Sequence, residues 1–378
     1  MRAIYLDHQA TTPLDPRVLE AMLPCFGEHF GNPGSPHAFG REASAAVERA
    51  RGQLAELLGA SPAEIVFTSG ATESDNLALR GVAHFCRDLG SHIIVTAIEH
   101  KAILETADEL ECEGFSVTRL PVGASGVVDP RDVEAAITPQ TILVSVMLAN
   151  NEIGTVQPIA DLGEITRARG VLLHTDAVQG IGKVAFDVDE MRVDLASVSA
   201  HKFYGPKGVG ALYVRQSSPR VRLVPELTGG GQELARRPGT LNVPGIVGLG
   251  AAAALAQKEG PAEARRVGAL RDRLLEQLRR GLGVRVNGAD PRLPGCLSVL
   301  IGGVDTRELV AELDRRGVAC STGSACSTGK EASHVLLAMG LSEEEARSAL
   351  RLGLGRGTTE RDVDDAARII VASAKAMR

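Results

Sequence analysis

The sequence predicts an α/β fold: a mostly parallel sheet flanked by helices, with a smaller α+β portion. Three observations predict it. Short β-branched runs alternate with helical runs between residues 65 and 215, as βαβ units require. Small and polar residues follow the strand candidates directly, and the carboxyl ends of such strands are where an open sheet gathers its functional groups. Near residue 245 the alternation gives way to a long helical stretch and then to weaker strands.

In chain order, residues 3–6 form a short apolar strand candidate ending in polar residues. Residues 41–58 predict an amphipathic helix. Ala43, Val47, Ala50, Leu54 and Leu57 recur at three- and four-residue steps, and Gly59 stands where a C-cap belongs. Strand candidates come next at 65–68, 93–97, 117–120, 142–148, 171–175, 195–199 and 211–215, with helices at 75–89, 102–113 and 159–169. A helical region spans 245–282, with an interruption expected at Gly260-Pro261. Beyond it lie strand candidates at 284–286, 297–301 and 350–354 and helices at 306–316, 343–348 and 360–377.

Composition excludes several classes. The 378 residues are 44% hydrophobic and 23% charged, which argues against disorder. A net charge of −6 and the lack of any basic block disfavour direct nucleic-acid binding. The longest apolar run, residues 244–256, is short of the about 20 residues that cross a membrane. Six cysteines without a C-x-x-C do not make a disulfide framework, and no metal site is expected; a reducing, cytoplasmic location is the expectation. Lysine is scarce, seven residues against 34 arginines, so chemistry that needs an amine has few candidates.

The residues directly after the strands carry the chemistry. Ser69-Gly70-Ala71-Thr72-Glu73-Ser74 reads either as an anion cradle at a helix N-terminus or as an ordinary capped turn. His100 stands at a strand end, as a solvated residue or a functional one. Asn150-Asn151-Glu152-Ile153-Gly154 is a ligand-orienting pair or a turn. Asp176 ends a buried strand and needs a partner, from a cationic ligand group or from a structural network. Lys202 comes right after a strand, between His201 and a glycine-rich turn, and is the candidate if one lysine forms a Schiff base, because burial makes an amine nucleophilic. Residues 317–329 form a small, polar loop around Cys320 and Cys326. A thiol displayed there is better explained by reactivity than by packing, although an incidental pair of cysteines in a turn is the alternative.

Together these segments resemble the cysteine desulfurases, of the fold-type-I class of pyridoxal-phosphate enzymes. The likeness runs in order through Tyr5-Leu6-Asp7-His8-Gln9-Ala10-Thr11-Thr12-Pro13, Gly70-Ala71-Thr72-Glu73-Ser74, Glu99-His100-Lys101, Asn150-Asn151-Glu152-Ile153-Gly154 and Asp176-Ala177-Val178-Gln179. It continues through 199–208, Gly239-Thr240, Ser324-Ala325-Cys326 and Arg351 with Gly355-Arg356-Gly357. The loop resembles the long-loop subgroup that serves iron–sulfur assembly and tRNA thiolation. Gly353 stands where the family usually has serine, and Cys320 where it has a small residue.

The resemblance implies a large cofactor domain over 13–257 and a small domain from 1–12 and 258–378. It implies pyridoxal 5'-phosphate held by Lys202, with Asp176 at the ring nitrogen, Gln179 at the ring hydroxyl and His100 over the ring, assisting proton transfer. Ala71, Thr72, Ser199 and His201 would hold the phosphate, and Thr240 would reach the phosphate of a partner subunit in a homodimer. Asn151 and Arg351 would orient the substrate, Arg351 by a bidentate grip on its carboxylate. L-cysteine would become L-alanine, its sulfur passing to Cys326 as a persulfide and then to acceptor proteins. Of the two loop cysteines, Cys320 is expected to be inert. An aminotransferase or selenocysteine lyase of the same fold, or a non-catalytic sulfur-relay protein, is the competing expectation, and aminotransfer has no need of the Cys326 loop.

Overall fold

The computed structural model describes residues 3–323 and 332–378. The strands are β1 (Ile4–Tyr5), β2 (Ile65–Thr68), β3 (His92–Thr96), β4 (Ser116–Leu120), β5 (Thr141–Ser145), β6 (Leu172–Asp176), β7 (Leu195–Ser199), β8 (Gly210–Val214), β9 (Arg285–Val286), β10 (Cys296–Leu300), β11 (Val318–Ala319) and β12 (Ala349–Gly353). The helices are α1 (Pro16–Met22), α2 (Ala38–Leu58), α3 (Ala71–Phe85), α4 (Lys101–Cys112), α5 (Pro130–Ala136), α6 (Ile159–Arg169), α7 (Val243–Leu282), α8 (Thr306–Arg315), α9 (His334–Ala338), α10 (Glu343–Arg347) and α11 (Glu360–Met377).

The main sheet has the order β2-β8-β7-β6-β5-β3-β4. Neighbours are parallel from β7 to β4, and β8 alone is reversed, antiparallel to both β2 and β7. Alternation along the strands assigns their two faces. Ile65, Phe67, Ile94, Leu173, Ala196 and Val198 point into a core closed by α2, α6 and the first half of α7. Val66, Ile93, Val95, Leu143, Leu195 and Leu212 point into a second core closed by α3 and α4. A third core holds Leu6, the second half of α7, β10, β12, α8 and α11.

The expected break at Gly260-Pro261 is absent, and α7 runs unbroken for 40 residues through Pro261. The missing amide costs one helical hydrogen bond, but both halves of the helix are buried in cores that hold it in line. Gly260 also lies against the Gly182 carbonyl, where an added Cβ would come within 2.9 Å. Three short helices, α1, α5 and α9, lie where none is expected from the sequence; α1 and α5 share one signal. Each opens with an aspartate N-cap followed by proline, Asp15-Pro16 and Asp129-Pro130, a local signal the hydrophobic pattern is too short to display.

Candidate active site

The carboxyl ends of β2, β5, β6 and β7 open at one edge of the sheet. There lies a cavity of about 540 Å³ lined by Ala71, Thr72, His100, Asn151, Asp176, Gln179, Ser199, His201, Lys202 and Arg351. Ten of the residues expected at the site therefore converge from segments far apart in sequence.

One wall is the turn between β2 and α3. Gly70 enters it at φ 153° and packs against the start of β8, where a Cβ on Gly210 would stand 2.7 Å from the Gly70 Cα. This approach leaves the first amides of α3, at Ala71 and Thr72, facing the cavity with the positive end of a fifteen-residue helix behind them. Glu73 secures the turn, accepting from the Ser69 amide at 2.8 Å and pairing with Arg237 at 2.7 Å. Ser199 ends β7 and His201 comes two residues later, with His201 Nδ1 3.0 Å from Thr11 Oγ1. Burial, then Lys202 and Lys207, take the His201 imidazole down to about 4, so it is neutral at physiological pH. Together these groups make an anion-binding wall.

Opposite stand acid and base. Asp176 ends β6, nearly buried, accepting from the Val178 amide at 3.0 Å. Burial raises its pKa, and His100 and Lys202 act against that rise. Asp75, on α3, also lines the cavity. Burial and the Asp176 charge push its pKa well up, and its Oδ1 has no hydrogen-bond partner among the described residues. Beneath, His174 bridges the Ser145 and Ser197 hydroxyls at 2.8 and 3.0 Å, and burial takes it down to about 3. Glu99 is fully buried, accepting from the Thr96 hydroxyl at 2.6 Å and from the Met147 amide; burial pushes it up to about 8. His100 caps α4, its Nδ1 accepting from the Ala102 amide at 3.1 Å.

Lys202 lies in the single turn after β7 and donates to the Gln9 and Ala10 carbonyls at 2.7 and 2.8 Å. Those carbonyls arrive because Thr12 ties the N-terminal segment to the same turn. Its hydroxyl donates to the His201 carbonyl and accepts from the Tyr204 amide. Gln179 completes this wall, its Nε2 donating to the Gln9 carbonyl at 3.0 Å.

Arg351 comes from β12 and is almost completely buried. It pairs with Asp7 at 2.9 Å and donates to the Asn151 carbonyl at 3.1 Å, while its Nε has no partner among the described residues. The Asn150-Asn151 ambiguity resolves by division. Asn150 is a turn residue, accepting from the Glu152 and Ile153 amides and donating to the Ile98 carbonyl, whereas Asn151 faces the cavity. Glycine at position 353 has a steric reason: a Cβ there would come within 1.9 Å of Gln9 Oε1 and 2.8 Å of the His8 amide nitrogen.

Cys326 lies outside the described residues, but both flanks of its segment are fastened to the cavity wall. Ser321 exchanges backbone hydrogen bonds with Arg351 at 3.2 and 2.7 Å. Ser333 Oγ donates to Glu152 Oε2 at 2.5 Å, and His334 Nε2 donates to the Glu99 carbonyl at 3.0 Å. Burial pushes the Cys320 thiol up to about 12, so it is protonated near neutral pH. Thr240 is not brought to this cavity. It is exposed and lines a separate cavity of about 730 Å³ with Asn32, Arg51 and Gly231. Among the described residues, no group of three His, Cys, Asp or Glu side chains is placed to hold a metal ion.

Sequence reasoning did not single out Asp7, Gln9, Asp75, Glu99 or Lys183 for a role. Asp7 and Gln9 meet the site only through contacts distant in sequence, whereas Asp75 follows Ser74, Glu99 stands next to His100 and Lys183 lies four residues after Gln179, all within reach.

The donor set fits a phosphorylated ring that carries a basic nitrogen and a carbonyl. The wall at the start of α3 can take the phosphate, the buried Asp176 the ring nitrogen and the Lys202 amine the carbonyl, and an Asp75 oxygen without a hydrogen bond among the described residues lies in the same lining.

The family model described as aminotransferase class-V matches residues 4–365. Cysteine desulfurase IscS of Anaeromyxobacter dehalogenans (strain 2CP-C) is 55% identical over 379 residues, covering 99% of this chain and 93% of that protein. The human cysteine desulfurase is 50% identical over 368 residues, covering 96% of this chain and 80% of that one. Among solved structures, a NifS-like protein superposes with a TM-score of 0.92 at 41% identity, covering 98% of each chain. SspA in complex with cysteine gives 0.82 at 40% identity, covering 93% of this chain and 99% of the other.

Proposed function

The chain belongs to the class-V aminotransferase family and within it to the cysteine desulfurases, and from that premise we propose that it converts L-cysteine to L-alanine and passes the sulfur to Cys326. The observation that carries this is the convergence of Lys202, Asp176, His100 and Arg351 on one cavity whose far wall suits a phosphate. Pyridoxal 5'-phosphate would be held there by Lys202, by Asp176 at the ring nitrogen, by Gln179 at the ring hydroxyl, by His100 and Asn151 beside the ring, and by Ala71, Thr72, Ser199 and His201 at the phosphate. Bound, it supplies a sink for the electron pair left at the substrate Cα.

The chain's own residues do the rest. Arg351 binds the substrate carboxylate, with its orphan Nε as a ready donor and Asn151 alongside. Lys202 Nζ gives way to the substrate amine and then takes the proton from Cα, and His100 assists proton transfer. The Cys326 thiolate attacks the substrate sulfur. An S–S bond forms, the Cβ–S bond breaks, and its electron pair stays with carbon, which is protonated and leaves as L-alanine. The persulfide on Cys326 then passes its outer sulfur to an acceptor, in iron–sulfur cluster assembly or tRNA thiolation.

Two further readings belong to the proposal. The protein acts as a homodimer, each Thr240 reaching the phosphate site of the other copy; its exposure outside the cavity of its own chain supports this. The protein works in the cytoplasm without direct membrane or nucleic-acid contact. No helix among the described residues is long and apolar enough to cross a membrane.

The test is direct. Purified protein incubated with pyridoxal phosphate is expected to turn yellow and to bleach with borohydride, and Lys202→Ala to do neither. With L-cysteine and a thiol reductant it should release sulfide and alanine, and Cys326→Ala should lose both by a factor of about 10² or more. A protein that stays colourless, or a Cys326→Ala variant at full rate, overturns the assignment.

A further inference from the structure

A second lysine stands behind the first. Lys183 lies after β6 in the turn that begins at Ala177, and its Nζ is 3.5 Å from Gln179 Oε1. The Nε2 of the same carboxamide donates to the Gln9 carbonyl, which also accepts from Lys202. Lys183, Gln179, Gln9 and Lys202 thus form one line, with the two glutamines as a wall between two amines. Lys183 itself faces a small cavity beyond that wall, lined also by His8, Tyr204, Glu263 and Gly355.

An ammonium has three donors and no acceptor, so it can meet only the oxygen of a carboxamide. With Oε1 committed to Lys183 and one Nε2 hydrogen to the Gln9 carbonyl, the other Nε2 hydrogen is left for the main cavity, which Gln179 lines.

We propose that Lys183 is a positioning residue of this site, which fixes the Gln179 carboxamide from behind and keeps a second positive charge beside Lys202. It touches neither substrate nor cofactor and acts through Gln179, Gln9 and Lys202. The proposal rests on the reading of Lys202 as the cofactor-holding amine.

The charges around Lys183 fix the sign of the effect. Lys202 faces it across the wall, His8 comes from the N-terminal segment, Tyr204 from the turn after β7, Cys296 from β10 and Glu263 from α7; Glu263 is itself paired with Arg356 at 2.7 Å. Burial and the Lys202 charge take the Lys183 amine down to about 8, with Cys296 and Glu263 acting the other way. Near neutral pH the ammonium persists and makes a further proton at Lys202 costlier. Cationic neighbours lower an amine's basicity in this way.

The experiment titrates the visible absorbance of the full-length holoprotein against pH. Lys183→Met should move its midpoint upward by about one unit, a tenfold change in proton affinity. Lys183→Arg, which keeps the charge, should leave it near the wild-type value. A coloured Lys183→Met protein with an unmoved midpoint overturns the inference. A second measurement needs no cofactor: the lysines of the full-length protein are reductively methylated with ¹³C and followed by NMR, the Lys183 signal being the one absent in Lys183→Arg. It should titrate near 8. A signal that titrates below about 6, which would leave the amine neutral at pH 7, overturns the inference even if no variant takes up cofactor. Failure of the wild-type chain to colour would instead count against the proposed function.

Discussion

Two of the cations that line the cavity, Lys202 and Arg351, are held in different ways. Lys202 sits in a turn and donates to neutral main-chain carbonyls. Arg351 sits inside a strand, is almost completely buried and pairs with the Asp7 carboxylate. A hydrogen bond from a charged donor to a neutral carbonyl is worth about 1.5–3 kcal/mol, whereas stripping a buried charge from its partner costs about 3–5 kcal/mol. An amine held by carbonyls can leave, react and return. A guanidinium held by a carboxylate stays. The contrast extends to the surroundings: the Lys202 charge acts on Asp176, a buried acid raised by its environment, while Arg351 is in direct ion-pair contact.

The largest effect expected from breaking this contrast is at Arg351. Arg351→Lys keeps the charge and loses the planar fork, so kcat/KM for L-cysteine should fall about 10²-fold, mostly through KM. Near-wild-type kinetics would mean that the fork is not what grips the substrate. Asp176→Asn comes next. It should retain the yellow colour while kcat drops by roughly 10–10², the worth of one charge-assisted hydrogen bond; an unchanged kcat would remove Asp176 from the ring nitrogen. Gly353→Ser presses a side chain onto Gln9 and His8 and should cost about 1–3 kcal/mol, seen as a lowered unfolding midpoint. Since Gln9 also carries the Lys202 contact, an unaffected midpoint would show that the wall yields freely.

The smallest effect concerns the buried acids. The Glu99 carboxyl is raised from 4.5 to about 8, so the folded state keeps a proton that the unfolded chain releases. That contribution is fully present below about 4.5 and is lost as pH rises through about 8. Glu99→Gln removes the titration and should raise the unfolding midpoint at pH 8 by a few degrees, roughly 1 kcal/mol or more, and leave it nearly unchanged at pH 5. A variant destabilised equally at both values would mean that Glu99 is ionised in the folded protein.

Much of the fold was legible because its signals are local. The strand over Ile65–Thr68 and the helices over Ile159–Arg169 and Glu360–Met377 fall where apolar runs and caps place them. The break at Pro261 was misread because a missing amide is a local penalty, while the burial that outweighs it is tertiary. At the site, Lys202, Asp176 and His100 declare themselves by standing at strand ends. Asp7 and Gln9 do not, since nothing near them in sequence marks partners 344 and 193 residues away.

The sequence by itself determined the alternating α/β order, the scarcity of amines that singles out Lys202, and the small polar segment around Cys326. Periodicity, capping and residue chemistry are written in neighbouring residues. Only the tertiary structure decided that Asp7 meets Arg351, that Asn151 rather than Asn150 faces the cavity, and that a second amine stands behind the first. Burial and charge set what these groups do, and both depend on what the folded chain brings alongside.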